Sequence, residues 1–244
     1  MSKLEICGPP LVLKHLEIEF CSGLESLKVS VPSLTSLSVT SLKGFSLENV
    51  PMLVDVSVHI VDDNTLLDRL FHLLSCCISQ LQTLHVSLDN EDISSAELDE
   101  LWELPQMPKL KKLFIEYCVR GDKSLVRLAP VIRASPSLVE FVLHHNWYLY
   151  PREDRQQRNE YAIKIPHRHL KVFEFRGYYG CSNDAGLLGY ILEYCVVLEK
   201  IIIDPWFKLG NNDLEIEEVE ETARKTAKRE LAPQVPQRIE LVIL

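Results

Sequence analysis

Apolar residues recur along this chain in a phrase with the offsets 0, +3 and +5, which appears nine times. Alternate residues of a β-strand share a face, so the last two apolar positions of each phrase predict one buried strand face. A strand repeated in this way is typical of a solenoid in which successive turns stack into one sheet. The copies are Leu13-Leu16-Ile18, Leu24-Leu27-Val29, Leu34-Leu37-Val39, Leu53-Val56-Val58, Leu81-Leu84-Val86, Leu110-Leu113-Ile115, Leu138-Phe141-Leu143, Leu170-Phe173-Phe175 and Leu198-Ile201-Ile203.

The intervals between copies predict what lies outside the sheet. From Leu53 onward the phrase recurs at intervals of roughly 28 to 32 residues, which leaves room for a helix in each turn. Between Leu13 and Leu53 it recurs at intervals of only about 10 to 20 residues, so a second strand or a loop is expected there instead. An acidic-to-basic stretch from Glu215 to about Ala232 predicts a closing helix, and Arg238 to Leu244 predicts a last strand.

The pattern predicts an α/β leucine-rich-repeat solenoid, or horseshoe, with a curved parallel sheet and outer helices mainly in its second half. We expect residues 1–244 to form a single domain. Short helix-free repeats are predicted for 1–60, helix-backed repeats for 61–168, and C-terminal repeats with a cap for 169–244. The pattern also needs a small or polar residue at offset +8, bonded to backbone inside the solenoid, a place that Cys21, Cys118 and Asn146 can fill.

The net charge and the cysteine content indicate which partners and which cellular compartment to expect. A formal net charge of -9 disfavours nucleic acid as a partner, because the phosphate backbone is repelled on average. The sequence gives no sign of a secretion signal or a membrane span, so no membrane partner is expected. Seven cysteines without a CxxC pair fit a reducing compartment, either the cytoplasm or the nucleus.

Several stretches carry a resemblance to a known family. They are GLESLKVSVPSLTSLSV, NVPMLVDVSV, HLKVFEFRGYYG, LLGYILEYCVVLEKIIIDP, ARKTAKREL and RIELVIL. Together they resemble the leucine-rich-repeat region of plant F-box proteins, which ends in a segment called FBD. The resemblance implies a substrate-recognition region of an SCF-type ubiquitin ligase adaptor, with no cofactor and an unknown protein substrate on the concave face.

The F-box that such proteins use to dock on the Skp adaptor is not recognisable in this sequence. We therefore expect the chain to be truncated relative to that family, with Skp binding only if an F-box lies upstream. A stand-alone leucine-rich-repeat scaffold with no role in ubiquitin transfer is the alternative.

Candidate binding residues lie where strand side chains alternate away from the core. The predicted exposed column runs through Glu17, Ser38, Ser57, His85, Phe114, Val142, Glu174 and Ile202. Phe114, Val142 and Ile202 are predicted to form an apolar hot spot for a protein partner. Trp147, Tyr148 and Tyr150, beside a charged run, form a second candidate set. The alternatives are that a loop covers the first set, and that Trp147 and Tyr148 pack in the core.

No catalytic, cofactor-binding or metal-ligating residue is predicted, and we do not expect an enzyme. The sequence contains no GxGxxG, GxxxxGK[ST] or GxSxG pattern. His144 and His145 are adjacent and should point to opposite faces of a strand. His167 and His169 share a face but have no carboxylate or cysteine cluster at a suitable spacing.

Overall fold

The computed structural model describes residues 2–8, 12–21, 23–41, 44–60, 66–89, 104–119, 125–147, 165–206 and 213–244. Within them the strands are β1 Ser2–Cys7, β2 His15–Ile18, β3 Leu24–Ser30, β4 Ser36–Val39, β5 Phe45–Leu47, β6 Asp55–Ile60, β7 Thr83–Asp89, β8 Lys112–Val119, β9 Glu140–Trp147, β10 Val172–Arg176, β11 Lys200–Asp204 and β12 Glu240–Ile243. The helices are α1 Leu66–Leu74, α2 Ala129–Ala134, α3 Ser182–Tyr194 and α4 Asp213–Glu230, with a 3-10 turn at Leu125–Leu128 before α2.

The strands form two sheets, and every strand pairing within the described residues is parallel. The main sheet has nine strands in the order β12-β11-β10-β9-β8-β7-β6-β4-β2, and the small sheet has three in the order β1-β3-β5. The chain is therefore a mixed α/β protein built on parallel sheets, as the sequence predicted.

The repeated phrase explains the register of the main sheet. Its middle residues stand opposite one another on neighbouring strands, in the series Leu37, Val56, Leu84, Leu113, Phe141, Phe173 and Ile201. All of these side chains are at most 2% exposed. Fully burying one such side chain contributes roughly 1.5–3 kcal/mol, so this row of buried side chains strongly stabilises the packing beneath the parallel sheet.

The first leucine of the phrase shapes the turn that leads into each strand. Leu34, Leu53, Leu110, Leu138 and Leu198 each donate their backbone N–H to the carbonyl three residues earlier. The same leucines are 0 to 2% exposed. Each turn thus positions a strand and buries an apolar side chain beneath it.

What covers the core changes along the chain. Up to residue 60 the described segments contain strands and turns, and side chains of the small sheet share one apolar cluster with those of β4 and β6. Further on, α1, α2 and α3 occupy the segments between successive main-sheet strands. One continuous apolar cluster extends through both parts, from Leu27 and Val29 in β3 to Leu187 and Ile191 in α3. No helix in the described segments is both long enough and apolar enough to span a membrane.

Two of the three side chains predicted at offset +8, those of Cys21 and Asn146, do not take the inner position expected of them. Cys21 is exposed. Strand β9 continues to Trp147, so its alternation turns His145 inward and places Asn146 on the opposite face. There the Asn146 amide donates to the Glu116 carboxylate at 2.8 Å. The side chain of Cys118 lies outside the described residues.

Candidate functional site

One side of the main sheet carries mostly half-buried side chains, and we name it the open face. Its side chains stand in two register rows: Ser57, His85, Phe114, Val142, Glu174 and Ile202, then His59, Ser87, Glu116, His144, Arg176 and Asp204. The first row follows the column predicted from the repeat. Histidine, aromatic and charged side chains are therefore concentrated on strands β6 to β11.

Glu116 on β8 is the polar centre of this face. The Ser87 hydroxyl donates to its Oε2 at 3.1 Å, and the Asn146 amide donates to its Oε1 at 2.8 Å. Nδ1 of His144 lies 3.6 Å from the same Oε1. Groups on both neighbouring strands thus fix the orientation of the carboxylate.

Two histidines lie beside Glu116. The Ser57 hydroxyl is 3.3 Å from Nε2 of His59 and 3.4 Å from Nδ1 of His85. The two rings meet edge to face, with centroids 5.0 Å apart. Burial lowers the pKa of His85, and the nearby His59 lowers it further, so the His85 ring is neutral at neutral pH.

The aromatic part of the face is centred on Phe114. Its ring is 4.2 Å from the ring of His85, centroid to centroid, and 6.5 Å from that of His144. The guanidinium of Arg176 lies 5.9 Å from the Phe114 centroid, which is within cation–π range. Glu174 accepts a hydrogen bond of 2.6 Å from Nε of Arg176 and so orients it.

The side chain of Trp206, which follows β11, lies over the open face. Trp206 brings its ring within 4.9 Å of the His144 ring, two strands away from its own, and is 39% exposed. Asp204 lies at the same end of the sheet. Burial raises the pKa of the Asp204 carboxyl, and the charge of Arg176 opposes that rise.

The predicted apolar hot spot is only partly exposed. Phe114 and Ile202 are half-buried. Val142 is 8% exposed and offers little area to a partner, which corrects the expectation that all three are accessible. Its short side chain stands between the longer Phe114 and Glu174 on the adjacent strands. Of the second set, Tyr148, Tyr150 and the side chain of Trp147 lie outside the described residues.

The histidines weighed as metal ligands from sequence have other roles. His145 is 4% exposed, and burial lowers its pKa to about 3, so it is a neutral core residue. Nε2 of His167 donates to the Ser135 carbonyl at 3.0 Å, while its Nδ1 accepts the Leu170 N–H at 3.0 Å. His169 donates from Nδ1 to the Pro136 carbonyl at 2.7 Å.

Sequence reasoning missed the grouping of His59, His85 and Glu116. One potential ligand atom from each of these residues lies within 4.8 Å of the other two. His59, Ser87 and Glu116 follow one another along the chain at the repeat interval itself. Aligning the chain at that interval would have placed His59 and Glu116 in one row and His85 in the row beside it.

Comparisons with known proteins add a family match in the C-terminal part. The FBD family model matches residues 158–203, less than a fifth of the chain, and the match includes β10, α3 and most of β11. Neither the comparison with curated proteins nor the one with solved structures gave a match. The FBD resemblance seen in the sequence is thus confirmed for these residues; it fits proteins of the F-box/FBD type and suggests an F-box-associated protein-interaction role.

Proposed function

We propose that this chain is a leucine-rich-repeat solenoid of horseshoe shape that binds a partner protein on its open face. In this proposal it is the substrate-recognition part of an SCF-type ubiquitin ligase adaptor of the plant F-box kind. It acts in the cytoplasm or nucleus, has no catalytic role, and reaches the Skp adaptor only through an F-box.

The regular strand register supports the repeat architecture. Equivalent residues such as Thr83, Lys112 and Glu140 are register partners separated by about one repeat interval. Each interval contributes one strand to a parallel sheet, which is the arrangement expected when similar turns stack on one another.

The composition of the open face carries the binding proposal. Aromatic residues and arginine are enriched among the side chains that dominate protein interfaces. Phe114 and Arg176 lie together there, and Arg176 keeps 42% of its side chain exposed. Its hydrogen bond to Glu174 reduces the conformational entropy that the guanidinium loses on binding.

The ligase part of the proposal is supported by the FBD match alone. FBD segments accompany F-box proteins, and a recognition module in such a protein selects the substrate to be ubiquitinated.

Proximity labelling in cells of the source organism tests the binding face. We expect the double variant Phe114→Ala, Arg176→Ala to lose at least about 10-fold of the labelling of the partner enriched by the wild-type chain. Phe20→Ala is a matched control, because Phe20 is 84% exposed and follows the edge strand β2. Equal labelling by the double variant and the wild type, with unchanged circular dichroism, would overturn the proposed face.

A second measurement separates recruitment for ubiquitination from simple scaffolding. Depleting the protein should lengthen the half-life of the labelled partner if the chain recruits it for degradation. An unchanged half-life, together with labelling that depends on Phe114 and Arg176, would support the proposed binding face but reject the ligase role.

A further inference from the structure

A site for a metal ion can be built from residues that no family match covers. His59, His85 and Glu116 lie on the adjacent strands β6, β7 and β8, all of them half-buried. The potential ligand atoms of the three residues lie within 4.8 Å of one another. Two imidazoles and one carboxylate are a ligand set that suits zinc and similar divalent transition ions.

One atom of this group is otherwise unexplained. Nε2 of His85 is buried and has no hydrogen-bond partner among the described residues, while the opposite ring nitrogen, Nδ1, is held at Ser57. A buried polar atom without a partner is unfavourable unless water or an ion occupies the adjacent space. With Nδ1 hydrogen-bonded to the Ser57 hydroxyl, Nε2 is the ring nitrogen that can present a lone pair to a cation.

The surroundings of the three residues match those of metal ligands in general. Metal-binding side chains are usually held by hydrogen bonds from neighbouring groups, which fix the ring orientation and the carboxylate. Here Ser57 contacts both histidines, and Ser87 and Asn146 donate to Glu116. Ser57 and Ser87 come from β6 and β7, the strands that carry the two histidines.

We propose that His59, His85 and Glu116 bind a Zn²⁺ ion on the open face, with one coordination position left for water or for a donor atom of a partner. Ligand atoms in a tetrahedral zinc site are about 3.4 Å apart, given bonds of about 2.0–2.1 Å. The observed limit of 4.8 Å therefore requires the side chains to move inward by about an ångström on binding. A shift of that size corresponds to small χ rotations within one rotamer well.

Cobalt(II) titration of the purified, chelator-treated chain tests the site, because the cobalt spectrum distinguishes nitrogen and oxygen ligands from thiolates. That distinction matters, since Cys7, Cys21 and Cys76 are exposed and could bind metal themselves. We expect one equivalent of Co²⁺ to bind with d–d bands but no sulfur charge-transfer band, and Zn²⁺ to displace it.

Single variants then assign the ligands. His59→Asn, His85→Asn and Glu116→Gln should each weaken Zn²⁺ binding by more than about 10-fold, and Ser57→Ala by about 10-fold. His15→Asn and His72→Asn are matched controls, since both histidines are exposed and lie outside the group. Equal circular-dichroism melts in chelator establish that the variants fold. A thiolate spectrum, the absence of binding at millimolar Co²⁺, or affinities unchanged in the ligand variants would each overturn the proposal, whatever the fate of the partner-binding experiment.

Discussion

Two regions of the molecule share the same pattern of apolar strand residues but differ in what packs against the main sheet, which we call the wall. In the strand-walled region, which extends from Ser2 to Ile60, register partners such as His15, Ser36 and Asp55 are about 20 residues apart, and the small sheet forms the wall. In the helix-backed region, which extends from Leu66 to Trp206, register partners are roughly 28 to 32 residues apart. Helices α1, α2 and α3 lie between β6 and β7, β8 and β9, and β10 and β11.

The difference teaches that the sheet and its wall are specified separately. The repeated phrase, which is common to both regions, determines which strand residues are buried. The number of residues between successive copies of the phrase determines whether a strand or a helix forms the wall. The side chains of the open face follow this division in part, because His59 at the end of β6 is the exception. Ser38 and Ser57 lie on it in the strand-walled region, while Phe114, Glu116 and Arg176 lie on it in the helix-backed region.

Each region nevertheless contains a glycine with positive φ that lies directly against the backbone of an earlier strand. Gly44 has a φ of +63° and Gly177 a φ of +79°, which L-residues with side chains adopt only with strain. A Cβ on Gly44 would overlap the backbone carbonyl of Glu25, and one on Gly177 would overlap that of His145. In both regions the glycine therefore allows one turn to approach the backbone of the previous turn closely.

The largest predicted effect comes from filling these positions. Gly44→Ala and Gly177→Ala should each cost about 3 kcal/mol or more in the free energy of unfolding, because strain and overlap with backbone add together. Urea unfolding measures the loss, and hydrogen exchange locates it. Each variant should speed amide exchange mainly in its own region if the proposed solenoid is correct, because the turns of a solenoid contact chiefly their neighbours.

Uniformly faster exchange from Ser2 to Trp206 in both variants would contradict that view. It would mean that the strand-walled and helix-backed regions unfold as one cooperative unit despite their different walls.

Much of this architecture could be predicted from the sequence because it depends on local periodicity. The phrase predicted which residues, such as Leu84 and Phe141, are buried, and the intervals predicted where strands replace helices as the wall. Contacts between distant residues could not be predicted in the same way. Trp206 crosses two strands to reach His144. Val142 is buried because the side chains beside it on the adjacent strands are longer than its own. The candidate ligand group needs His59, His85 and Glu116 from three strands, so no local motif indicates it.

A smaller effect, dependent on pH, is expected at the start of helix α3. Asp184 is fully buried, and its Oδ2 accepts hydrogen bonds from the backbone N–H groups of Tyr179 and Gly180. Its Oδ1 has no hydrogen-bond partner among the described residues. Burial raises the pKa of Asp184 to about 6, and these backbone bonds only partly oppose it. The folded state therefore holds this proton more tightly than the unfolded state does.

The sign of the effect follows from that order of pKa values. Below about pH 4 the Asp184 carboxyl is protonated in both the folded and the unfolded state. Between about pH 4 and 6 it ionises in the unfolded state but stays largely protonated in the folded state. The free energy of unfolding therefore declines as the pH rises through this range. Relative to Asp184→Asn, the wild type should lose roughly 2–3 kcal/mol of stability between pH 4 and 7. Urea unfolding of both proteins at several pH values measures this difference. A difference that does not vary with pH would show that the helix-start N–H groups fully compensate the burial of the charge.

The smallest predicted effect is a gain in stability, and it is specific to the helix-backed region. Gly189 lies in the interior of α3 and is exposed, and an added Cβ would meet no atom within 4 Å among the described residues beyond the local backbone of its own helix. Alanine there should stabilise the chain by about 0.5–1 kcal/mol, because glycine loses more backbone freedom than alanine when the helix forms. Thermal unfolding should show a rise of about 1–4 °C for a chain of this size. Since Gly189→Ala also adds a methyl group to a glycine, it controls for the Gly177→Ala variant within the same region. A loss of stability in place of the gain would reveal that another segment of the chain packs directly on this face of α3.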